Sequence, residues 1–228
     1  MATIPGGQYQ DFVLGSALSD VIWTGSGNDH ITAGDGNDAV LAGSGDDFID
    51  GGTGNDSLWG GSGHDVIDAG AANDMVEGGS GDDVVYAADG NDLVSGGSDD
   101  DLLYGQGGDD TVHGGSGNDI LTGGQGDDIL SGDAGDDTLI GGDGHDVFVF
   151  QGGGGSDLIV DFKEGSDVLS IARNINGLDI THAADVASFV SDDNGNAVVD
   201  FGNGDTVTLV GVSADDVQHD ASKFFQVT

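Results

Sequence analysis

The residues of this sequence with the most chemistry to offer are aspartates that recur every nine positions. Their carboxylates are hard oxygen ligands, and such ligands suit multivalent cations of the hard class. Fifteen aspartates follow this spacing without a slip: Asp20, Asp29, Asp38, Asp47, Asp56, Asp65, Asp74, Asp83, Asp92, Asp101, Asp110, Asp119, Asp128, Asp137 and Asp146. The spacing predicts a regular array of cation sites.

Glycine stands two residues before most of these aspartates. In a unit such as Gly114–Asp119, glycine tolerates a positive φ, so that the carbonyls of the loop can turn toward a common centre. We expect carbonyl and carboxylate oxygens to bind the cation together. The glycines at this fourth position of the unit are Gly27, Gly36, Gly45, Gly54, Gly63, Gly81, Gly90, Gly108, Gly117, Gly126, Gly135 and Gly144.

Some repeats depart from the glycine pattern. Ala72 and Asp99 replace the fourth-position glycine, and Gln106 and Asp133 replace the glycine at the second position. A side chain there strains a left-handed turn. The sequence leaves two readings open, a weaker site or a turn that tolerates the side chain.

Two residues after each aspartate stands a large apolar side chain, which the alternation of a β-strand directs inward. Nine residues are too few to close a core, so two nonapeptides should form one 18-residue coil with a strand on each side. Alternate repeats then predict parallel sheets of eight and seven strands. The apolar residues are Ile22, Ile31, Val40, Ile49, Leu58, Ile67, Val76, Val85, Val94, Leu103, Val112, Leu121, Leu130, Leu139 and Phe148.

The charge of the chain sets a further requirement. Its 228 residues contain 43 Asp and Glu, 3 Lys and Arg and 46 Gly, with a formal net charge of −40. Such a chain repels nucleic acid and anionic membranes. High charge could indicate disorder, but an apolar residue in phase over fifteen repeats argues for a fold that a cation neutralises.

The sequence offers no sign of an enzyme. It has no cysteine, which excludes disulfides, zinc-thiolate sites and cysteine nucleophiles. It also lacks a His-Glu-x-x-His zinc motif, a Gly-x-Ser-x-Gly nucleophile elbow and a Gly-Lys-Ser/Thr phosphate loop. We therefore predict a protein without catalytic residues.

The repeat Gly-Gly-x-Gly-x-Asp-x-apolar-x resembles that of the RTX (repeats-in-toxin, hemolysin-type) calcium-binding proteins over roughly residues 15–149. The resemblance implies an all-β fold, a right-handed parallel β-roll (β-helix). It further implies that Ca²⁺ lies between loops of adjacent coils, bound by backbone carbonyls and by the repeat aspartates. If each site needs two loops of the same edge, the roll binds on the order of thirteen ions.

The resemblance also suggests how the chain is divided. We expect an N-terminal cap at 1–14, the roll at 15–149, and a capping and secretion-signal region at 150–228. The last region should be a small, mainly β cap with a short helix, and it resembles the C-terminal region of serralysin-type proteins. Its predicted elements are strands at 158–162 and 168–171, a helix at about 181–190, and a hairpin of 197–201 with 206–210.

That similarity implies export through a type I secretion apparatus. It further implies that the protein is secreted and extracellular and that it comes from a Gram-negative bacterium. The N-terminal residues lack the features of a Sec signal peptide. The chain also has no apolar run of 18 residues, so we expect no membrane span.

The outward-facing side chains suggest contact surfaces. An apolar ladder is predicted on one sheet, formed by Phe48, Val66, Val84, Leu102 and Ile120. It indicates either a homo-oligomer or mere β-propensity. On the other sheet, Trp23, Leu41 and Trp59 should stack and anchor the N-terminal cap, with a partner site as the alternative.

Two functions fit these features. The first is a stand-alone secreted calcium-binding protein, an extracellular structural or interaction module of a surface layer, an adhesion system or a biofilm. The second is the C-terminal calcium-binding and secretion module of a longer secreted protease, lipase or toxin. In both, calcium outside the cell should drive folding of repeats that stay unfolded in the cytosol.

Overall fold

The computed structural model describes residues 3–228, and most of them form two parallel β-sheets wound into a solenoid of about nine turns. Neighbouring strands pair residues that are 18 positions apart, such as Ile22 with Val40 and Ile31 with Ile49. The predicted coil of two nonapeptides is confirmed. The first two residues of the expected cap, Met1 and Ala2, lie outside the described residues.

Strands are numbered in chain order. Sheet 1 contains, in spatial order, β1 (Thr3–Pro5), β3 (Val21–Ser26), β5 (Ala39–Ser44), β7 (Ser57–Ser62), β9 (Met75–Ser80), β11 (Leu93–Ser98), β13 (Thr111–Ser116), β15 (Ile129–Ala134), β17 (Val147–Phe150), β19 (Val168–Ile171) and β23 (Phe225–Val227). Sheet 2 contains β2 (Phe12–Ser16), β4 (His30–Asp35), β6 (Phe48–Thr53), β8 (Val66–Asp68), β10 (Val84–Asp89), β12 (Leu102–Gly107), β14 (Ile120–Gln125), β16 (Thr138–Asp143), β18 (Ser156–Ile159), β22 (Thr206–Leu209), β21 (Asn196–Asp200) and β20 (Val190–Asp193).

The apolar residues of the repeats form the core between the sheets. All fifteen are buried, and each packs against its equivalents in the coils above and below. The strands form here because the alternation places one side chain inside while its two neighbours face outward. Each coil therefore contributes two large core side chains and two loops.

The repeats contribute eight strands to sheet 1 (β3 to β17) and seven to sheet 2 (β4 to β16), as predicted, but further strands extend the sheets to eleven and twelve. The reason is that a sheet edge with unpaired N–H and C=O groups accepts further strands. Before the segment 15–149, β1 pairs with β3 and β2 pairs with β4. After it, β19 and β18 continue the two sheets in parallel.

The C-terminal region is a mainly β cap with short helices. Strands β21 and β22 pair antiparallel, as the predicted hairpin requires, and β20 adds a third strand. The predicted helix is shorter than expected: α1 covers Ala183–Val186, a 3-10 turn follows at Ala187–Phe189, and β20 then begins. A second helix, α2 (Ala214–His219), was not predicted. The last strand, β23, pairs with β19 and joins the cap to the roll.

Within residues 3–228, no helix is long and apolar enough to cross a membrane.

Candidate metal sites along the edges of the roll

The repeat aspartates form two columns, one along each edge of the roll. Edge 1 is defined by the loops that lead from sheet 2 to sheet 1, and its column runs from Asp20 to Asp146 in steps of 18. Edge 2 is defined by the loops that lead from sheet 1 to sheet 2, and its column runs from Asp29 to Asp137. All fifteen aspartates are at most 4% exposed. The fold therefore places all fifteen predicted carboxylates in two buried rows.

In each repeat aspartate after Asp20, one carboxylate oxygen links neighbouring coils. Oδ1 accepts a hydrogen bond from the backbone N–H of the aspartate 18 residues earlier, as Asp65 Oδ1 does from Asp47 at 2.8 Å. Within the repeats these N···O distances lie between 2.7 and 3.1 Å. The stacking of the coils thus occupies Oδ1 of these carboxylates and not Oδ2.

The second oxygen is buried without a partner. In the described chain, Oδ2 accepts no hydrogen bond in fourteen of the fifteen repeat aspartates, every one except Asp20. An ionised oxygen buried in this way costs several kcal/mol unless a positive charge compensates for it. Fourteen oxygens in two rows therefore fit a series of bound cations.

The N-terminal ends of both columns differ from the interior because the protein supplies its own donors there. Asp20 Oδ2 accepts from the N–H and the hydroxyl of Ser16 at 2.9 and 2.7 Å. Asp11 Oδ2 accepts from the N–H of Gly7 at 2.6 Å. Both donors come from the residue four positions before the aspartate. No such donor reaches the fourteen interior oxygens.

Three aspartates of the columns were missed in the sequence. Asp11 begins the column on edge 2, because its N–H donates to Asp29 Oδ1 at 2.8 Å. Asp157 and Asp167 continue the two columns, accepting from Asp137 at 3.2 Å and from Asp146 at 3.3 Å. Gly6-Gly7 before Asp11 and the complete Gly-Gly-x-Gly-x-Asp unit that ends at Asp157 were usable signals. Asp157 and Asp167 lie 20 and 21 residues after the previous aspartate, which takes them out of the period of nine.

Burial and crowding make the repeat carboxylates hard to ionise in the absence of a cation. Desolvation, with neighbouring carboxylates as a further cause, raises the pKa of Asp47 and Asp101 to about 7. The same causes raise the pKa of Asp65 and Asp119 to about 6. A cation held between the carboxylates would reverse this effect.

The twelve fourth-position glycines all have a left-handed backbone, with φ between 108° and 159°. A Cβ on Gly63 would collide with the carbonyl oxygen of Gly45, the equivalent residue one coil earlier. The chain therefore needs glycine here both for its φ and for close approach of stacked loops.

The substituted repeats keep this turn in spite of their side chains. Ala72 and Asp99 have φ values of 87° and 80°, and Gln106 and Asp133 have φ values of 77° and 69°. Ala88, at a second position, also has a positive φ of 78° and was not singled out in the sequence. The expected strain is present at each of these residues, because L residues rarely adopt this conformation.

Side chains alone do not complete a metal site in the described residues. No group of three or more His, Asp or Glu side chains lies close enough together to hold an ion. A Ca²⁺ ion takes six to eight oxygen ligands, so the remainder would come from backbone carbonyls. A Cβ on Gly60 would contact Asp65 Oδ2 and lie 2.7 Å from the carbonyl oxygen of Gly78. A carboxylate and a carbonyl oxygen thus face the same small space.

The outward-facing surfaces are less exposed than the sequence suggested. Of the predicted apolar ladder, Ile120 is exposed, whereas Phe48, Val66, Val84 and Leu102 are half-buried. On sheet 1, Trp23, Leu41 and Trp59 line one apolar cleft of about 490 Å³. Trp23 is 59% exposed, so residues 3–228 leave most of its ring uncovered.

Comparison with known proteins identifies the repeats. A family model described as the RTX calcium-binding nonapeptide repeat (4 copies) matches residues 5–40, 14–49, 41–76, 68–103, 77–112, 86–121 and 113–148. Together these matches span more than half of the chain. A comparison with curated protein sequences finds no match.

The solved structures that match this chain include an antifreeze protein and a lipase. A hyperactive, Ca²⁺-dependent, β-helical antifreeze protein from an Antarctic bacterium is 25% identical, with a TM-score of 0.44, over 75% of this chain and 69% of that chain. The extracellular lipase LipA from Serratia marcescens is 20% identical, with a TM-score of 0.33, over 94% of this chain. The chain covers 39% of the lipase.

Proposed function

We propose, from the premise that this chain belongs to the RTX calcium-binding nonapeptide repeat family, that it is a secreted protein whose roll folds on binding many Ca²⁺ ions. Once folded, it acts as an extracellular structural or interaction module without catalytic activity, in a surface layer, an adhesion system or a biofilm. The observation that carries the proposal is the set of fourteen buried carboxylate oxygens without hydrogen-bond partners in the described residues.

The proposed ligands are the fifteen repeat aspartates and the carbonyls of the twelve fourth-position glycines. Each ion would lie between loops of one edge, for example between the loops that end at Asp65 and Asp83. Calcium supplies the positive charge there. The chain contributes the rest, because the Oδ1 bonds hold each carboxylate rigid and leave its Oδ2 for the ion.

The number of ions follows from the pairs of loops. Eight loops on edge 1 and seven on edge 2 hold on the order of thirteen ions, or roughly +26 in charge. Residues 1–150 contain 30 carboxylates and no Lys or Arg, so this charge would nearly neutralise the roll.

Calcium binding and folding are thereby coupled. Without calcium, repulsion between carboxylates and the backbone entropy of the glycines oppose the folded roll. Extracellular calcium modules bind at about 10⁻⁴ to 10⁻³ M, which matches free calcium outside the cell. Binding energy then becomes folding energy, and the chain folds where it is delivered.

Secretion by a type I apparatus fits the position of the C-terminus. Phe224 and Phe225 are buried, and β23 pairs with β19. A secretion signal in this segment would be accessible only before the roll folds. A calcium-poor cytosol would keep it so, which supports delivery to the extracellular space.

A second candidate function is the calcium-binding and secretion module of a longer secreted protease, lipase or toxin. The observation that favours it is the open first coil: β2 is an edge strand, and its Phe12 and Leu14 are 77% and 78% exposed. An apolar sheet edge of this kind accepts another stacked segment. A homo-oligomer would use the apolar ladder of Phe48, Val66, Val84, Leu102 and Ile120. Such a contact would rest mainly on Ile120, because the other four side chains are half-buried.

Far-UV circular dichroism during a calcium titration tests the proposed function. We expect a largely unfolded spectrum in EDTA at low ionic strength and a cooperative gain of β structure as Ca²⁺ approaches millimolar. Mg²⁺ at the same concentration serves as the control, because it demands a more regular octahedral geometry and should be less effective. Full β structure in EDTA would contradict the coupling of binding to folding.

A further inference from the structure

Two clefts lie side by side on the outer face of sheet 1 and share Trp59 as a wall. The first, of about 490 Å³, is lined by apolar residues that include Trp23, Leu41 and Trp59. The second, of about 230 Å³, lies between Leu41, Trp59 and Glu77. Trp23 and Leu41 are exposed, so the apolar surface here is continuous rather than scattered. A continuous surface of this kind indicates a contact with another molecule.

Glu77 brings a carboxylate to these clefts. It pairs directly with Trp59 across strands β7 and β9. Its side chain is exposed and has no hydrogen bond or ion pair with the described residues. An indole face attracts a cation through its ring quadrupole, and a neighbouring carboxylate attracts the cation through its charge. The two clefts together therefore fit a cationic side chain with an apolar stem.

The roll has no such side chain of its own, because residues 1–150 contain no Lys or Arg. In the cap, Lys163 and Lys223 form ion pairs with carboxylates at 4.0 and 3.1 Å. Arg173 differs from both: it is exposed, and its guanidinium has no partner among residues 3–228. A chain with a formal net charge of −40 thus leaves one guanidinium uncompensated.

Arg173 and the clefts belong to opposite ends of the same sheet. Arg173 follows β19 by two residues, and β19 is six strands away from β7, which carries Trp59. At about 4.8 Å per strand, the separation is roughly 29 Å. This distance is far beyond the reach of an Arg side chain, so Arg173 cannot pair with Glu77 of its own molecule. Two copies of the chain can bring these residues together.

We propose that the clefts on sheet 1 bind Arg173 of a second copy of this chain, with its guanidinium packed on Trp59 and paired with Glu77. Because Arg173 and Glu77 lie at opposite ends of sheet 1, two copies that face each other in antiparallel orientation make the contact twice. This self-association goes beyond calcium binding, which the proposed function assigns to the edges of the roll.

The middle of sheet 1 is compatible with such a pair. Strand β13 lies midway between β7 and β19, so an antiparallel pair places β11 of one copy on β15 of the other. Leu93 and Ile129 lie at equivalent positions of these two strands, and both are exposed. Apolar side chains therefore meet there. The repeat aspartates lie in the edge columns, which keeps their charge away from this face.

Reversal of the two charges tests the contact. Sedimentation equilibrium in saturating calcium should show that the wild type self-associates. Glu77→Arg and Arg173→Glu should each raise the dissociation constant about tenfold. The double variant exchanges the two charges and should restore the association. Since the two residues are far apart within one molecule, such a rescue arises between molecules, and its absence would overturn the proposed pairing.

Arg173→Gln and Asn194→Asp change the net charge by the same amount and form a matched pair. Asn194 is exposed in the turn between β20 and β21, which belong to sheet 2. We expect Arg173→Gln to weaken the association and Asn194→Asp to leave it unchanged. Far-UV circular dichroism in the same buffer checks that each variant is folded. If a charge-reversal variant does not fold, Glu77→Gln and Arg173→Gln carry the test.

Tryptophan fluorescence measures the same contact in the unaltered protein. The chain has 2 Trp residues, Trp23 and Trp59, and both line the first cleft. Their emission should shift to shorter wavelength as the protein concentration rises through the dissociation constant.

Two outcomes would overturn the proposal without affecting calcium binding. A wild type that stays monomeric at every concentration is the first, and a fluorescence response to an added arginine-rich peptide would then assign the clefts to a foreign cationic partner. The second is an association that none of the charge changes weakens, which would place the contact on another surface, such as the Phe48–Ile120 ladder of sheet 2.

Discussion

Each repeat aspartate uses its two oxygens differently. Oδ1 binds the N–H of the previous coil, and this bond needs no metal. In every repeat aspartate except Asp20, Oδ2 is buried without a donor in the described chain, and under the proposed function it is the atom that makes the fold depend on a cation. The sequence identified these residues because their spacing is regular. It could not show which oxygen stays unpaired, since that depends on the distance between stacked coils.

A prediction at the residue scale concerns Ala72, which holds a left-handed φ of 87°. Ala72→Gly removes the strain of a Cβ in this conformation, so we expect the free energy of unfolding of the calcium-bound protein to rise by about 1 kcal/mol. Urea denaturation in saturating calcium measures the change.

The neighbouring Ala71→Gly is the control for this substitution. Ala71 has no positive φ, so glycine there adds only backbone entropy to the unfolded chain. We expect a loss of about 0.5–1 kcal/mol. Two changes of the same sign would contradict the interpretation that backbone strain at Ala72 is the cause.

At the scale of the elements, the coil is the unit that the repeat specifies, and the ends are where other segments attach. Strands β18 and β19 continue the sheets although the chain between them and the repeats has lost the period of nine. Strand β20 and helix α2 were missed because they are short, and because their stability comes from packing in the cap rather than from their own pattern. Strand β23 closes sheet 1.

A prediction for this element tests whether β23 secures the cap. Phe225 is buried in the core, so Phe225→Ala should cost about 3–5 kcal/mol of the free energy of unfolding of the cap. The adjacent Gln226→Ala is the control, since Gln226 is exposed in the same strand. Thermal unfolding in saturating calcium compares the melting temperatures of the two variants. Equal melting temperatures for the two variants would argue against a structural role for Phe225.

At the scale of the whole molecule, the dominant property is a set of buried carboxylates that are harder to ionise in a folded roll without cations. The raised pKa values of about 6 to 7 at residues such as Asp47, Asp65 and Asp101 lie above the ordinary value of 3.8. The folded, calcium-free state therefore binds more protons than the unfolded state. Protons and calcium are alternative ways to remove the same repulsion.

The resulting pH prediction has a definite sign. For groups with a raised pKa, the contribution to stability is complete below the unfolded value and is lost as the pH rises through about 6 to 7. The calcium-free chain should therefore gain β structure when the pH is lowered from about 8 to about 5. Circular dichroism of calcium-stripped protein measures this gain.

Calcium-saturated protein is the control for the pH experiment. There the carboxylates are held ionised by the metal, so that lowering the pH should weaken calcium binding and bring no gain of structure. Calcium-free spectra that are the same at both pH values would contradict the role assigned to the buried aspartates.

The sequence by itself determined the repeating unit: the 18-residue coil, the two rows of aspartates, the inward apolar residues and the left-handed glycines. It could do so because each coil contacts only its neighbours, and local pattern therefore specifies local structure. Only the tertiary structure decided how the roll ends. Asp157 and Asp167 join the columns at spacings of 20 and 21 residues, and Gly153 and Lys163 direct their N–H groups to different carboxylates. Those contacts depend on the path of non-repeating chain, which no period describes.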